Sequence, residues 1–212
     1  MHDFLLNVET ENLYLVGDII DGWALRRKHY WTKTQTEIIR RVLKMSEKIN
    51  VVYIAGNHDD FIRPFFKYEF QIGDIQILDS VDYVAIDGRS IYVCHGDRFD
   101  VLMKIPRPII NFFGHFFEGS FSDRVYQWMG QRKLMEKYLT LHGYDSSISG
   151  HTHDPMITPR YMNCGDWTEN CTALVETQDG NWEIIRWQST TQHSTESLKS
   201  DSTNKEKTLK TS

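Results

Sequence analysis

Four predicted strands in this chain each run into a glycine-flanked polar cluster, and that recurrence limits the fold more than any other feature. Leu13-Tyr14-Leu15-Val16 leads into Gly17-Asp18, and Val51-Val52-Tyr53-Ile54 leads into Ala55-Gly56-Asn57-His58-Asp59. Ser90-Ile91-Tyr92-Val93-Cys94 leads into His95-Gly96-Asp97, and Ser146-Ser147-Ile148-Ser149 leads into Gly150-His151-Thr152-His153. Short runs bounded by turn residues read as buried strands. Between the first two, Ile38, Val42, Met45 and Ile49 fall on one helical face, ending near Lys48, and Thr34 and Glu37 have capping-box spacing. Strand, helix and strand in that order predict a parallel βαβ unit and an α/β fold. In such sheets the ligand site lies beyond the carboxyl ends of the strands, so four clusters at strand ends of shared orientation converge on one rim.

The rest of the chain is consistent with one domain followed by a tail. Residues 2–10 predict a short helix with Phe4, Leu5 and Val8 inward. Two hairpins are signalled by Asp-Gly pairs: Tyr83–Ile86 with Ser90–Cys94 around Asp87-Gly88, and Thr172–Glu176 with Trp182–Trp187 around Asp179-Gly180. Residues 101–145 differ in texture, with nine aromatics (Phe112, Phe113, Phe116, Phe117, Phe121, Tyr126, Trp128, Tyr138 and Tyr144) and a helical stretch from about Ser122 to His142. From Gln188 onward twelve of 25 residues are Ser or Thr, none is aromatic, and disorder is expected.

Charge and cysteine content exclude several classes. The net charge is -5 and the pI about 6.0, which gives no basic footprint for nucleic acid. Three scattered cysteines (Cys94, Cys164, Cys171) form neither a disulfide framework nor a C-x-x-C, so a reduced, cytoplasmic compartment is expected. Cys164 and Cys171 read as small apolar fillers. No apolar run approaches the roughly 20 residues of a membrane span, and Met1-His2-Asp3 does not open a basic-then-apolar leader.

Taken together, the clusters offer Asp18, Asn57, His95, His151 and His153 as ligands. Oxygen and imidazole donors without thiolate suit Mn, Fe, Zn or similar ions. A carboxylate can bridge two cations, and two cations can clamp a phosphoryl group for in-line attack. His58 stands next to a ligand and is better placed to contact phosphate oxygen or the leaving group. Each piece alone also has a plain reading as a turn or a hydrogen-bonded histidine.

The order Gly-Asp-x-x-Asp, Gly-Asn-His-Asp, His-Gly-Asp, Gly-His-x-His resembles the calcineurin-like metallophosphoesterases, over about residues 4–187. Tyr14–Trp23, Leu25-Arg26-Arg27, Tyr30-Trp31, Asn163–Trp167 and Cys171–Glu176 are similar to the UDP-2,3-diacylglucosamine diphosphatase-like branch of bacterial lipid A synthesis. The resemblance implies two mixed β-sheets packed face to face as a sandwich, with flanking helices. It implies two divalent ions, manganese foremost with iron or zinc as alternatives, bridged by Asp18. Asn57, His95 and His151 would complete the protein shell of one ion and His153 would serve the other. His58 would be the catalytic histidine, oriented by Asp59. The family's first strand, which carries Asp-x-His, is expected to be missing here: Met1 falls inside the helix that should follow it. The ion that His153 shares with Asp18 is therefore expected to be weakened, and an upstream start is one explanation.

The resemblance also implies a domain over residues 1–187 with a helical insert at about 101–145. That insert reads either as an ordinary helical pair or as a lid for acyl chains and a peripheral contact with the inner membrane. Arg26, Arg27 and Lys28, in a basic-aromatic loop, read either as a solvated surface or as a diphosphate clamp. The implied substrate is a phosphate-containing small molecule or nucleotide-sugar lipid. A different phosphodiester or nucleotide hydrolase, and a non-catalytic remnant that binds one metal, remain as alternatives.

Overall fold

A computed structural model describes residues 1–28, 30–100 and 120–188, without the side chains of Lys28 and of 120–129. The first hundred residues contain α1 (His2–Asn7), β1 (Asn12–Val16), α2 (Gly22–Lys28), α3 (Lys33–Ser46), β2 (Asn50–Ile54), β3 (Gln71–Ile72), β4 (Ile75–Leu78), β5 (Ser80–Val84) and β6 (Ser90–Cys94). From Ser120 onward come α4 (Ser120–His142), β7 (Ser146–Ser149), β8 (Met156–Ile157), β9 (Tyr161–Asn163), β10 (Thr172–Glu176) and β11 (Trp182–Arg186). Short 3₁₀ turns cover Asp60–Tyr68 and Asp97–Phe99.

The strands form a four-stranded sheet β1-β2-β4-β3, a five-stranded sheet β5-β6-β7-β9-β8 and a ribbon β10-β11. β1 and β2 pair in parallel through the α3 crossover, as the βαβ reading requires. β6, β7 and β9 are likewise parallel, which orients their carboxyl ends alike.

Strand alternation assembles the layers, because successive side chains point to opposite faces. Val51, Tyr53 and Ala55 face α1 and α3, where they meet Phe4, Leu5, Val42 and Met45. Val52 and Ile54 point the other way, onto Ile91, Val93, Ile148 and Met162 of the second sheet. Tyr92 and Cys94, on the outer face of that sheet, pack under Met135 and Leu139 of α4. The result is the expected α/β sandwich, with helices outside two mixed sheets. The ribbon contributes to both faces of the first sheet, Ala173 and Trp187 on the helix side and Leu174 and Trp182 on the inner side. Each fully buried aliphatic contributes roughly 1.5–3 kcal/mol.

Three expectations are corrected locally. The capping box of α3 is Thr32 with Gln35, not Thr34 with Glu37: Gln35 N donates to Thr32 Oγ1 at 3.1 Å and Thr32 N donates to Gln35 Oε1 at 2.7 Å. The earlier start lets Trp31 Nε1 donate to Thr36 Oγ1 at 2.8 Å. The first helix ends at Asn7, and Val8 is already extended. Arg26 and Arg27 stand on α2 and not in a loop. The expected lid residues 101–119 and the tail from 189 lie outside the described residues.

Candidate metal and phosphate site

The four clusters meet at one rim. Gly17 and Gly56 make this possible: a Cβ on Gly17 would collide with the His95 imidazole, and a Cβ on Gly56 with the Asp18 carboxylate. Asp18, His151 and His153 hold left-handed backbone at φ 56°, 64° and 56°. Non-glycine residues in that region cost about 1–3 kcal/mol each and cluster at functional sites.

Asp18 connects two clusters. Its Oδ1 accepts the His58 backbone N–H at 2.8 Å, and its Oδ2 lies 3.1 Å from His95 Nε2. Asn57 Oδ1 lies between two imidazoles, 3.1 Å from His95 Nε2 and 3.0 Å from His151 Nδ1. Ligating atoms of Asp18, His95 and His151 all fall within 4.8 Å of one another. His153 is outside that group; it is exposed, and its carbonyl accepts from Asn170 Nδ2 at 3.0 Å.

The electrostatics follow from the pairing. Burial would raise the Asp18 carboxyl, but the His95 hydrogen bond and charge outweigh it and hold the group below its usual value. Burial would lower His95, and the Asp18 contact overrides it to raise the imidazole above its usual value. Such a carboxylate and imidazole set, with an amide oxygen between, fits one divalent cation.

His58 and Asp59 separate in role. Asp59 is fully buried and accepts from Tyr53 Oη, from Gly56 N and, at 3.0 Å, from Ile19 N. It therefore ties the loop of the first cluster to that of the second. The position expected for Asp59, beside the His58 ring, is held by Asp21, whose Oδ1 lies 3.0 Å from His58 Nδ1. Trp23 stacks on the same imidazole, ring centroids 4.3 Å apart at 25°. Asp21 carries the second carboxylate of Gly-Asp-x-x-Asp, so its presence was visible in sequence; Trp23, five positions after Asp18, had no such signal.

Of the predicted phosphate clamp, Arg26 is exposed and reaches Asp60 at 4.0 Å, while Arg27 Nε donates to Trp23 O at 3.3 Å. Neither touches the ligand cluster. Arg63, which no motif marked, joins the rims of both sheets. Its Nη2 donates to Ala55 O at 3.2 Å and to Asp97 Oδ2 at 2.9 Å, and its Nε lies 3.2 Å from Asp79 Oδ1.

Comparison with known proteins gives relatives and a family. The chain is 22% identical over 206 residues to the UDP-2,3-diacylglucosamine hydrolases of Shewanella sp. strains MR-4 and MR-7, covering 81% of this chain and 82% of each relative. Among solved structures it aligns with a novel archaeal phosphodiesterase (TM-score 0.37, 12% identity, 82% of this chain and 99% of that one). It also aligns with a single mutant of Vps29 from Entamoeba histolytica (TM-score 0.39, 12% identity, 88% of each chain). Residues 3–155 match the family described as calcineurin-like phosphoesterase, and those residues include every cluster just described. The chain thus belongs to the calcineurin-like phosphoesterases, a family of metal-dependent hydrolases.

Proposed function

We propose that this protein hydrolyses a phosphodiester or pyrophosphate bond in a nucleotide-sugar lipid, in the manner of a UDP-2,3-diacylglucosamine diphosphatase. The observation that carries this is the meeting of Asp18, Asn57, His95 and His151 from four strand ends, with His58 beside them. Asp18, Asn57, His95 and His151 would hold one divalent ion, manganese foremost, and Asp18 with His153 would offer the start of a second shell. Bound there, such ions supply charge neutralisation at the phosphoryl oxygens and a nucleophile at neutral pH.

The chain's own groups do the rest. Asp21 accepts the Nδ1–H of His58, and with Nδ1 so held a proton on Nε2 would be presented to a phosphoryl or leaving-group oxygen. Trp23 limits the ring's rotation by stacking. Arg26 and Arg27, on α2 just after Asp21, would be the basic groups to meet a second phosphate. The compartment that goes with this reading is the cytoplasm, at the inner membrane surface where a nucleotide-sugar lipid is reached. The share of the relatives' length that aligns supports the branch assignment, at 82%.

The test uses purified full chain with added manganese. Asn57→Ala and His95→Ala are expected to lower metal content, and His58→Ala to lower turnover of an aryl phosphodiester by about 10²–10⁴ with metal retained. Turnover of UDP-diacylglucosamine above that of simple diesters supports the lipid substrate; the reverse assigns a general diester hydrolase. One ion or none, with no turnover, overturns the enzyme reading.

A further inference from the structure

His95 and His151 turn different nitrogens toward Asn57 Oδ1. His95 presents Nε2 at 3.1 Å, and His151 presents Nδ1 at 3.0 Å. A neutral imidazole carries one N–H, and the partner of that N–H fixes which nitrogen keeps its lone pair. In both rings the outward nitrogen faces an acceptor. His95 Nδ1 lies 3.0 Å from Val16 O, and His151 Nε2 lies 2.9 Å from Asp100 Oδ2.

Asp100 lies outside all four sequence clusters. It follows the 3₁₀ turn Asp97–Phe99, and its backbone N–H closes that turn by donating to Asp97 O at 3.0 Å. The Asp of His-Gly-Asp, Asp97, is engaged by Arg63 instead. The turn places the next carboxylate, three residues on, against His151. Asp100 is 1% exposed and the His151 side chain 9%. A carboxylate this buried is costly unless its hydrogen-bond partners are fixed.

We propose that Asp100 is a positioning residue of the metal site, its carboxylate accepting the Nε2–H of His151 and so leaving Nδ1 inward as the ligating nitrogen. This rests on the metal-site reading above. The outward nitrogens thus meet different acceptors, the Val16 carbonyl for His95 and the Asp100 carboxylate for His151. Asn57 Oδ1 and the edge-on His95 ring, centroids 5.1 Å apart, flank the inward side of the imidazole, and Asp100 is the carboxylate on its outward side.

Two measurements test it. In long-range ¹⁵N spectra of the metal-free full chain, taken at a pH where the ring is neutral, His151 is expected as the Nε2–H tautomer, and Asp100→Ala as a tautomer mixture. In manganese titrations, Asp100→Ala is expected to weaken binding about 10- to 100-fold. Asp100→Asn, whose amide oxygen still accepts from Nε2–H, is expected to stay within about tenfold of wild type. An Nδ1–H tautomer of the neutral His151 ring in the wild type overturns the proposal, as does wild-type manganese affinity in a folded Asp100→Ala. If wild type binds no manganese, the metal reading fails on its own. The wild-type tautomer then still decides whether His151 keeps its proton on Nε2 toward Asp100, and that arm needs no substituted chain to fold.

Discussion

At the residue scale, Asp21 is the sharpest departure from expectation. Asp59 is the partner that the sequence suggests for His58, yet it is fully buried against Tyr53 and two backbone N–H groups. Burial and the Asp59 charge push the Tyr53 hydroxyl well above the usual phenol range, so it stays a donor to that carboxylate. Asp21 is shaped for the other task. Burial would raise its carboxyl, but the Ala24 N–H at 2.9 Å and the His58 contact outweigh this and keep it low, hence ionised. Asp21→Asn is therefore expected to lower kcat roughly 10- to 100-fold with KM and metal content unchanged, as steady-state kinetics and metal analysis will show. Asp59→Asn, by contrast, should lower thermal stability first.

At the element scale, the connection from β9 to β10 shows how one side chain shapes a loop. Asp166 Oδ1 accepts from Thr168 N at 2.8 Å, Thr168 Oγ1 at 2.9 Å, Glu169 N at 2.5 Å and Asn170 N at 3.2 Å. Its Oδ2 accepts from Asn170 Nδ2 at 2.5 Å. The loop so formed delivers Trp167 to Phe4, ring centroids 4.9 Å apart, and Asn170 to the His153 carbonyl. Burial would raise the Asp166 carboxyl, but these donors outweigh it and hold the group well below the carboxylate range. A depressed carboxylate stabilises the fold above its unfolded pKa of about 4 and loses that contribution as pH falls toward its folded value. Asp166→Ala removes several hydrogen bonds to a charged acceptor and, with solvent screening at the loop surface, is expected to cost about 1–3 kcal/mol at pH 7. Urea unfolding should show the gap to wild type shrinking below about pH 4; a gap independent of pH would contradict the assignment.

At the scale of the whole molecule, Arg63 is the residue that joins the two sheets where the site opens. It binds the end of β2 through Ala55, the β4–β5 link through Asp79 and the end of β6 through Asp97. Breaking a fully buried ion pair costs about 3–5 kcal/mol. The Arg63 side chain is about a third exposed, so solvent screening reduces the expected loss for Arg63→Ala to about 1–3 kcal/mol. Arg63→Lys should recover only part of it, because an ammonium cannot span three acceptors as a guanidinium fork does. Chemical denaturation with unchanged m-value is the measurement.

The sequence by itself marked the strands that carry the candidate site, the parallel βαβ unit and the residues Asp18, Asn57, His95 and His151 that the fold brings to one rim, because glycine-flanked polar clusters after apolar runs are local signals. It also marked the helix α4, beginning at Ser120 where about Ser122 was expected. It left β4 and β9 unread, since neither carries the glycine-and-histidine ending that marked β2, β6 and β7, and both are defined by pairing with β2 and β7. Only the tertiary structure decided which carboxylate serves which histidine. Asp21 is 37 residues from His58, Asp100 is 51 from His151, and Arg63 is 34 from Asp97. Such pairs exist because parallel strands bring distant loops to one rim, and no local pattern of residues records which partners will meet there.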